Sequence, residues 1–171
     1  DFLFKMIQQI LNTSRLEDTK RLYEIIAAVK SRAQVSLTGA GHSTAVLRAT
    51  AYSSPMAAFQ DEMAGIGYYQ FIEQLEKDFD QRKDELVKEL RKLMKEILRP
   101  ENFLISYTGE RESLETVKKL TSDVKKGLCT ESMEISGEKL TCTKKNEGFK
   151  TSGQVQYVAQ TGNFKKKGLE Y

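Results

Sequence analysis

Only two prolines occur in 171 residues, at positions 55 and 100, and the stretch between them constrains the fold more than any other feature. Pro55 disfavours helical geometry at Ser54 and is itself tolerated in a first helical turn, so it marks a helix start. From there to Arg99 the chain reads as helix with little interruption. Ile72, Leu75, Phe79, Leu86, Leu90, Leu93 and Ile97 continue one apolar stripe, and Asp84 with Lys88 adds a supportive pair one turn apart. One helix from Gln60 to Leu98 would be roughly 58 Å long at ~1.5 Å per residue, more than a domain of this size usually covers. DFDQR at 78–82 interrupts the apolar positions and predicts a break there.

Before Pro55 the pattern is also helical. Phe2, Leu3, Met6, Ile7, Ile10 and Leu11 share one face, and Leu22, Ile25, Ile26 and Val29 repeat the spacing in a second helix. Ser14 and Glu17 have the spacing of a capping box, and the short polar turn suggests a helical hairpin. Gly39 and Gly41 in LTGAGH can take backbone angles that stop a helix. A new one, STAVLRATAY, should begin near His42 or Ser43, with its short side chains buried on one side. After Pro100, FLISYTG has the β-branched and aromatic content of a buried strand. ESLETVKKLTSDVKKGL is a further amphipathic helix through Leu114, Val117, Leu120 and Val124, ending in Lys125, Lys126 and Gly127. From Cys129 onward polar and apolar residues alternate between glycine turns at 137, 148, 153 and 162, and QVQYVAQT is the best strand. The expected class is α+β, a helix-rich segment packed on an antiparallel sheet with its strands concentrated after residue 100.

Composition narrows the function classes. Hydrophobic residues at 39% and charged residues at 30% describe a folded chain, and no apolar run approaches the roughly 20 residues that span a bilayer. No membrane partner is expected. The opening DFLFKMIQQILNTS has no initiator Met and no signal pattern, and it starts inside an amphipathic helix, which predicts a piece of a longer polypeptide. The 27 basic and 24 acidic side chains are interspersed as on a solvated surface. Lys118, Lys119, Lys125, Lys126 and the terminal FKKK are too few to imply a specific nucleic-acid surface, so no nucleic-acid partner is expected. Cys129 and Cys142, without a neighbouring His, do not make a zinc site. Two free thiols in a reducing cytosol is the favoured reading, with a disulfide as the alternative.

His42 is the single histidine and lacks ligand spacing: neither HExxH nor HxxEH occurs, and Ser, Thr, Ala and Val follow it. It reads as a cap or polar contact at a helix start. Ser43, Ser53 and Ser54 have no GxSxG elbow, and the GAG before His42 lacks the lysine of a phosphate loop. Asp61 and Glu62 read as solvated carboxylates near a helix start. Ile66, Tyr69, Phe71 and Ile72 in GIGYYQFI read as core. No catalytic, cofactor-binding or metal-ligating residue is expected in this chain.

The order of segments carries more than any residue alone. RLYEIIAAVKSRAQVSLTGAGHSTAVLRATAYSS, GIGYYQFIEQLEKDFD, NFLISYTGE and NEGFKTSGQVQYVAQTGNF follow one another as in the presequence-protease branch of the pitrilysin and insulin-degrading-enzyme family of zinc metallopeptidases, which the chain resembles. The resemblance implies two homologous halves joined by a helical linker and enclosing a chamber for unfolded peptides. It implies a linker hairpin at 1–34, an α+β domain of the noncatalytic half at 35–150, and a strand leading into the next domain at 151–171. The family's zinc ligands and catalytic glutamate lie in an inverted HxxEH of the amino-terminal half, and none maps here. Its substrate-holding Arg and Tyr pair would lie beyond Tyr171, so Arg48 and Tyr52 are not promoted to that role. The expected cofactor is none in this chain and zinc in the parent. The expected partners are the remaining domains of the same polypeptide and the parent's peptide substrate, with self-association of the isolated chain through its cut surface. A bacterial cytoplasm is the expected location, or an organelle matrix for a eukaryotic parent. The alternative function is a free-standing helical adaptor that offers the stripe from Ile72 to Ile97 to a protein partner.

Overall fold

Hydrophobic periodicity becomes helix along most of the chain. The computed structural model describes residues 2–132, 137, 140–151 and 153–170. Among them are seven α-helices: α1 (Phe2–Thr13), α2 (Thr19–Gly39), α3 (Gly41–Ala51), α4 (Pro55–Ala64), α5 (Ile66–Lys77), α6 (Phe79–Ile97) and α7 (Leu114–Lys126). Pro55 occupies the first turn of α4, behind an extended Ser54 whose Oγ accepts the Ala57 N–H at 3.4 Å. The long helical region breaks at Asp78, as DFDQR predicts, and also at Gly65, where ψ swings to −154°. The Ser14–Glu17 capping box does not form. Ser14 Oγ instead donates to the Ile10 carbonyl at 2.6 Å, and Glu17 pairs with Arg91.

The expected α+β class is overturned: the structure is helical, and no described residue belongs to a strand or sheet. A strand exists only as part of a ladder, and neither strand-like segment has one. Residues 104–109 and 154–161 make no backbone–backbone hydrogen bonds among the described residues, and Leu104 and Val158 are 93% and 95% exposed. The second segment is anchored to a helix. The Tyr157 ring packs on Gly41, Thr161 Oγ1 donates to the Ala49 carbonyl at 2.7 Å, and Asn163 Nδ2 donates to the Ser53 carbonyl at 3.3 Å. Residues 133–136 and 138–139, within the strand-like stretch between the two cysteines, lie outside the described residues.

The chain divides into two compact units, Asp1–Thr19 with Gln81–Ser136 and Lys20–Asp80 with Gly137–Tyr171. In the first, α1 packs against α7, and Val87, Val124 and Leu128 are buried. The Cys129 N–H donates to the Leu98 carbonyl at 3.0 Å, and Arg99 Nη1 donates to the Glu131 carbonyl at 2.7 Å. In the second, α4 packs on both α3 and α5 around Ile26, Ala51, Ala57, Ile66, Ile72, Leu75 and Phe79. Tyr23 meets Phe79 with ring centroids 5.2 Å apart. Cys129 and Cys142 are half-buried and free.

Candidate functional site

One charged side chain among the described residues is buried, and it organises the second unit. Asp61 on α4 is 2% exposed, against the solvated role read from its sequence; Glu62 beside it is exposed. A buried carboxylate is costly unless it is paired and fully hydrogen-bonded. Asp61 meets both demands. Its Oδ2 accepts from Arg48 Nη1 of α3 at 2.5 Å and from the Gly67 N–H at 3.1 Å, while Oδ1 accepts from the Ile66 N–H at 3.0 Å. Gly65 precedes α5 without a capping side chain, so a carboxylate from the preceding helix supplies the missing acceptors at that N-terminus.

The glycines of GIGYY make this approach feasible. A Cβ at position 67 would lie 2.8 Å from Asp61 Oδ2, and one at 65 would overlap Oδ1. Only hydrogen fits between the helix start and the carboxylate.

Arg48 also takes a second acid. Its Nε and Nη2 donate to Glu147 Oε2 and Oε1 at 2.9 and 3.3 Å, a two-pronged pair. Tyr52, one turn along α3, donates its hydroxyl to the same carboxylate. The guanidinium lies 5.6 Å from the Tyr52 ring centroid and 5.8 Å from that of Phe149, within cation–π range. Burial pulls the Arg48 pKa down, but the bonds to Glu147 and Asp61 outweigh it and the net shift is upward. The Arg48 bond holds Glu147 below its ordinary range against the effect of burial, with Tyr52 adding to the lowering. Burial and then the Glu147 bond raise the Tyr52 pKa. The arrangement clasps the extended 140–149 segment onto α3 and α4. It contains no nucleophile paired with a base.

An open cleft of about 510 Å³ lies beside the clasp, bordered by Glu62, Phe71, Thr141, Thr143 and Lys145. The other residues weighed in the sequence lie apart from these charges. His42 is exposed near the start of α3, its ring centroid 6.0 Å from that of Tyr157, and Ala40 rather than His42 is the cap residue of that helix. Ser53 Oγ donates to the Thr50 carbonyl at 3.3 Å. Among the described residues, no group of three His, Cys, Asp or Glu is placed to hold a metal. Of the GIGYYQFI cluster, Ile66 and Ile72 are buried, whereas Phe71 is exposed.

The same blocks recur in known proteins. The family model for the peptidase-associated region of the pitrilysin-type metallopeptidases, subfamily C, matches residues 1–75. Protein HypA of Clostridium perfringens is 30% identical over 167 residues, covering 98% of this chain and 17% of that protein. Presequence protease 1, chloroplastic/mitochondrial, of Arabidopsis thaliana is 26% identical across 99% of this chain and 16% of its own length. The mitochondrial presequence protease of Yarrowia lipolytica is 29% identical over 94 residues, 54% of this chain and 10% of that protein. The chain belongs to the presequence-protease branch of the pitrilysin family. It is a peptidase-associated segment of that branch, and it spans about a sixth of the length of the first two relatives. These pitrilysin-type relatives come from a bacterium, a plant and a yeast, two of them carrying organellar names.

Proposed function

We propose that this peptidase-associated segment is a noncatalytic part of a zinc metalloendopeptidase that degrades short unfolded peptides, where it forms part of the chamber wall opposite the catalytic half. The observation that carries this reading is similarity along 98% and 99% of the chain to proteins about six times longer, one of them named a presequence protease. The site adds physical support. Arg48, Asp61, Glu147 and Tyr52 are engaged with one another, which suits a structural clasp better than proton transfer. The donor set around His42 does not fit zinc, so the metal belongs with ligands supplied by the rest of the parent. The working partners are those other domains and the peptide substrate. A bacterial cytoplasm suits the relative from Clostridium perfringens, and an organelle matrix suits the relatives with organellar names.

The test compares the full-length protein with the 171-residue chain for bound zinc and for cleavage of a fluorogenic peptide. Zinc and cleavage are expected in the full-length protein alone, and full-length His42→Ala should keep its zinc. Zinc-dependent cleavage by the contaminant-free chain would sink the proposal, as would loss of zinc from a folded His42→Ala parent. The exposure of Leu93 and Ile97 on α6 favours one second reading, a helical adaptor. An HxxEH upstream in the full gene supports the peptidase, and its absence supports the adaptor.

A further inference from the structure

Phe71 is 56% exposed although Ile72 and Leu75 of the same helix are buried. Its ring borders the cleft beside the clasp, with Glu62 of α4 and the side chains of Thr141, Thr143 and Lys145 around it. The charges there do not cancel. Arg48 is committed to Asp61 and Glu147, and Lys145 lies 3.8 Å from Glu147. Two cations therefore face three carboxylates, and Glu62 has no ion-pair partner among the described residues. A surplus of negative charge in a concave site repels phosphates and acidic peptides and attracts cations. An aromatic face beside an unpaired carboxylate suits a guanidinium, which stacks on the ring and hydrogen-bonds to the acid.

On the peptidase reading above, we infer that this cleft is an accessory docking site for an arginine-bearing, acid-poor unfolded peptide. Phe71 and Glu62 receive an arginine of the peptide, and the Thr141 and Thr143 hydroxyls hydrogen-bond to its backbone. Organelle-targeting peptides have this composition, being rich in Arg and poor in acids. The site binds and holds; it performs no chemistry of its own.

The experiment is a fluorescence-anisotropy titration of the 171-residue chain, its helicity checked by circular dichroism, with a labelled unstructured peptide rich in Arg and Ser. Binding is expected, and it should weaken as salt is raised. Phe71→Ala should raise Kd about 2- to 5-fold through loss of the stacking face. Glu62→Gln should raise it by about 2- to 5-fold at low salt and less at high salt. Both positions are exposed, and Glu62→Gln carries the test alone if Phe71→Ala alters helicity. No binding by the folded chain, affinity unchanged in the folded variants, or equal affinity for a peptide with Glu in place of Arg overturns the inference. The readout needs no cleavage. Failure of peptidase activity in the full-length protein would strike the proposed function and leave this binding unmoved.

Discussion

Removing the Asp61 carboxylate breaks two interactions together, because it neutralises a buried cation and caps α5. A solvated surface acid would change stability by no more than about 0.5 kcal/mol on truncation. Asp61→Ala leaves Arg48 with one acid instead of two and should cost about 3–5 kcal/mol, lowering Tm by on the order of 10 °C. Thermal unfolding followed by circular dichroism measures it. Gly67→Ala should also destabilise, because its Cβ would stand 2.8 Å from Asp61 Oδ2, but the penalty should shrink in an Asp61→Ala background where that oxygen is gone. Additive losses would contradict the contact. This site was only partly legible in the sequence. Asp61 beside Glu62 has the local pattern of a solvated pair, and its burial is decided by Arg48 on another helix and by Glu147, 99 residues after that arginine. The readable signal was the pair of glycines at 65 and 67, whose spacing leaves room for a close-approaching group.

At the scale of elements, the 140–149 segment is held by side chains instead of a ladder, so its attachment should follow the titration of Glu147 and Tyr52. The folded pKa of Glu147 is depressed from 4.5, so its contribution is present above pH 4.5 and is lost as pH falls through the folded value. The Tyr52 pKa is raised from 10.0. Its contribution is present below pH 10.0 and is lost as pH rises through the folded value. The stability difference between wild type and Glu147→Gln should therefore be largest and flat between those limits and narrow on acidification, as urea unfolding at stepped pH will show. A difference that persists unchanged well below pH 4.5 would refute the clasp. Helices were legible because periodicity is local, and α1 to α7 lie close to where the apolar spacing puts them. The sheet was not, because FLISYTG and QVQYVAQT show only propensity while a strand is a property of a pair. The Gly65 break was missed because apolar residues continue across it; its cause is the Asp61 cap.

At the scale of the whole molecule, α4 poses the remaining packing problem. Ala57 and Asp61 face inward, yet Met56, Phe59 and Met63, three and four residues apart, form a second apolar stripe that is exposed. A helix apolar on two sides calls for two partners, and methionines adapt to irregular surfaces better than branched side chains do. In a chain that spans 17% of one relative and 16% of another, the remaining domains of the parent are the natural cover for this stripe. Without them, a second copy of the same stripe is the available apolar surface. The isolated chain should therefore self-associate, its light-scattering mass rising with concentration. Phe59→Ser combined with Met63→Ser should return it to monomer mass without loss of helicity, since neither side chain contributes to the buried core. Monomer mass for the unsubstituted chain at high concentration would show that the stripe is tolerated in water. Association that survives the double substitution would place the contact elsewhere, with the exposed Phe2, Leu3 and Ile10 of α1 the next face to change.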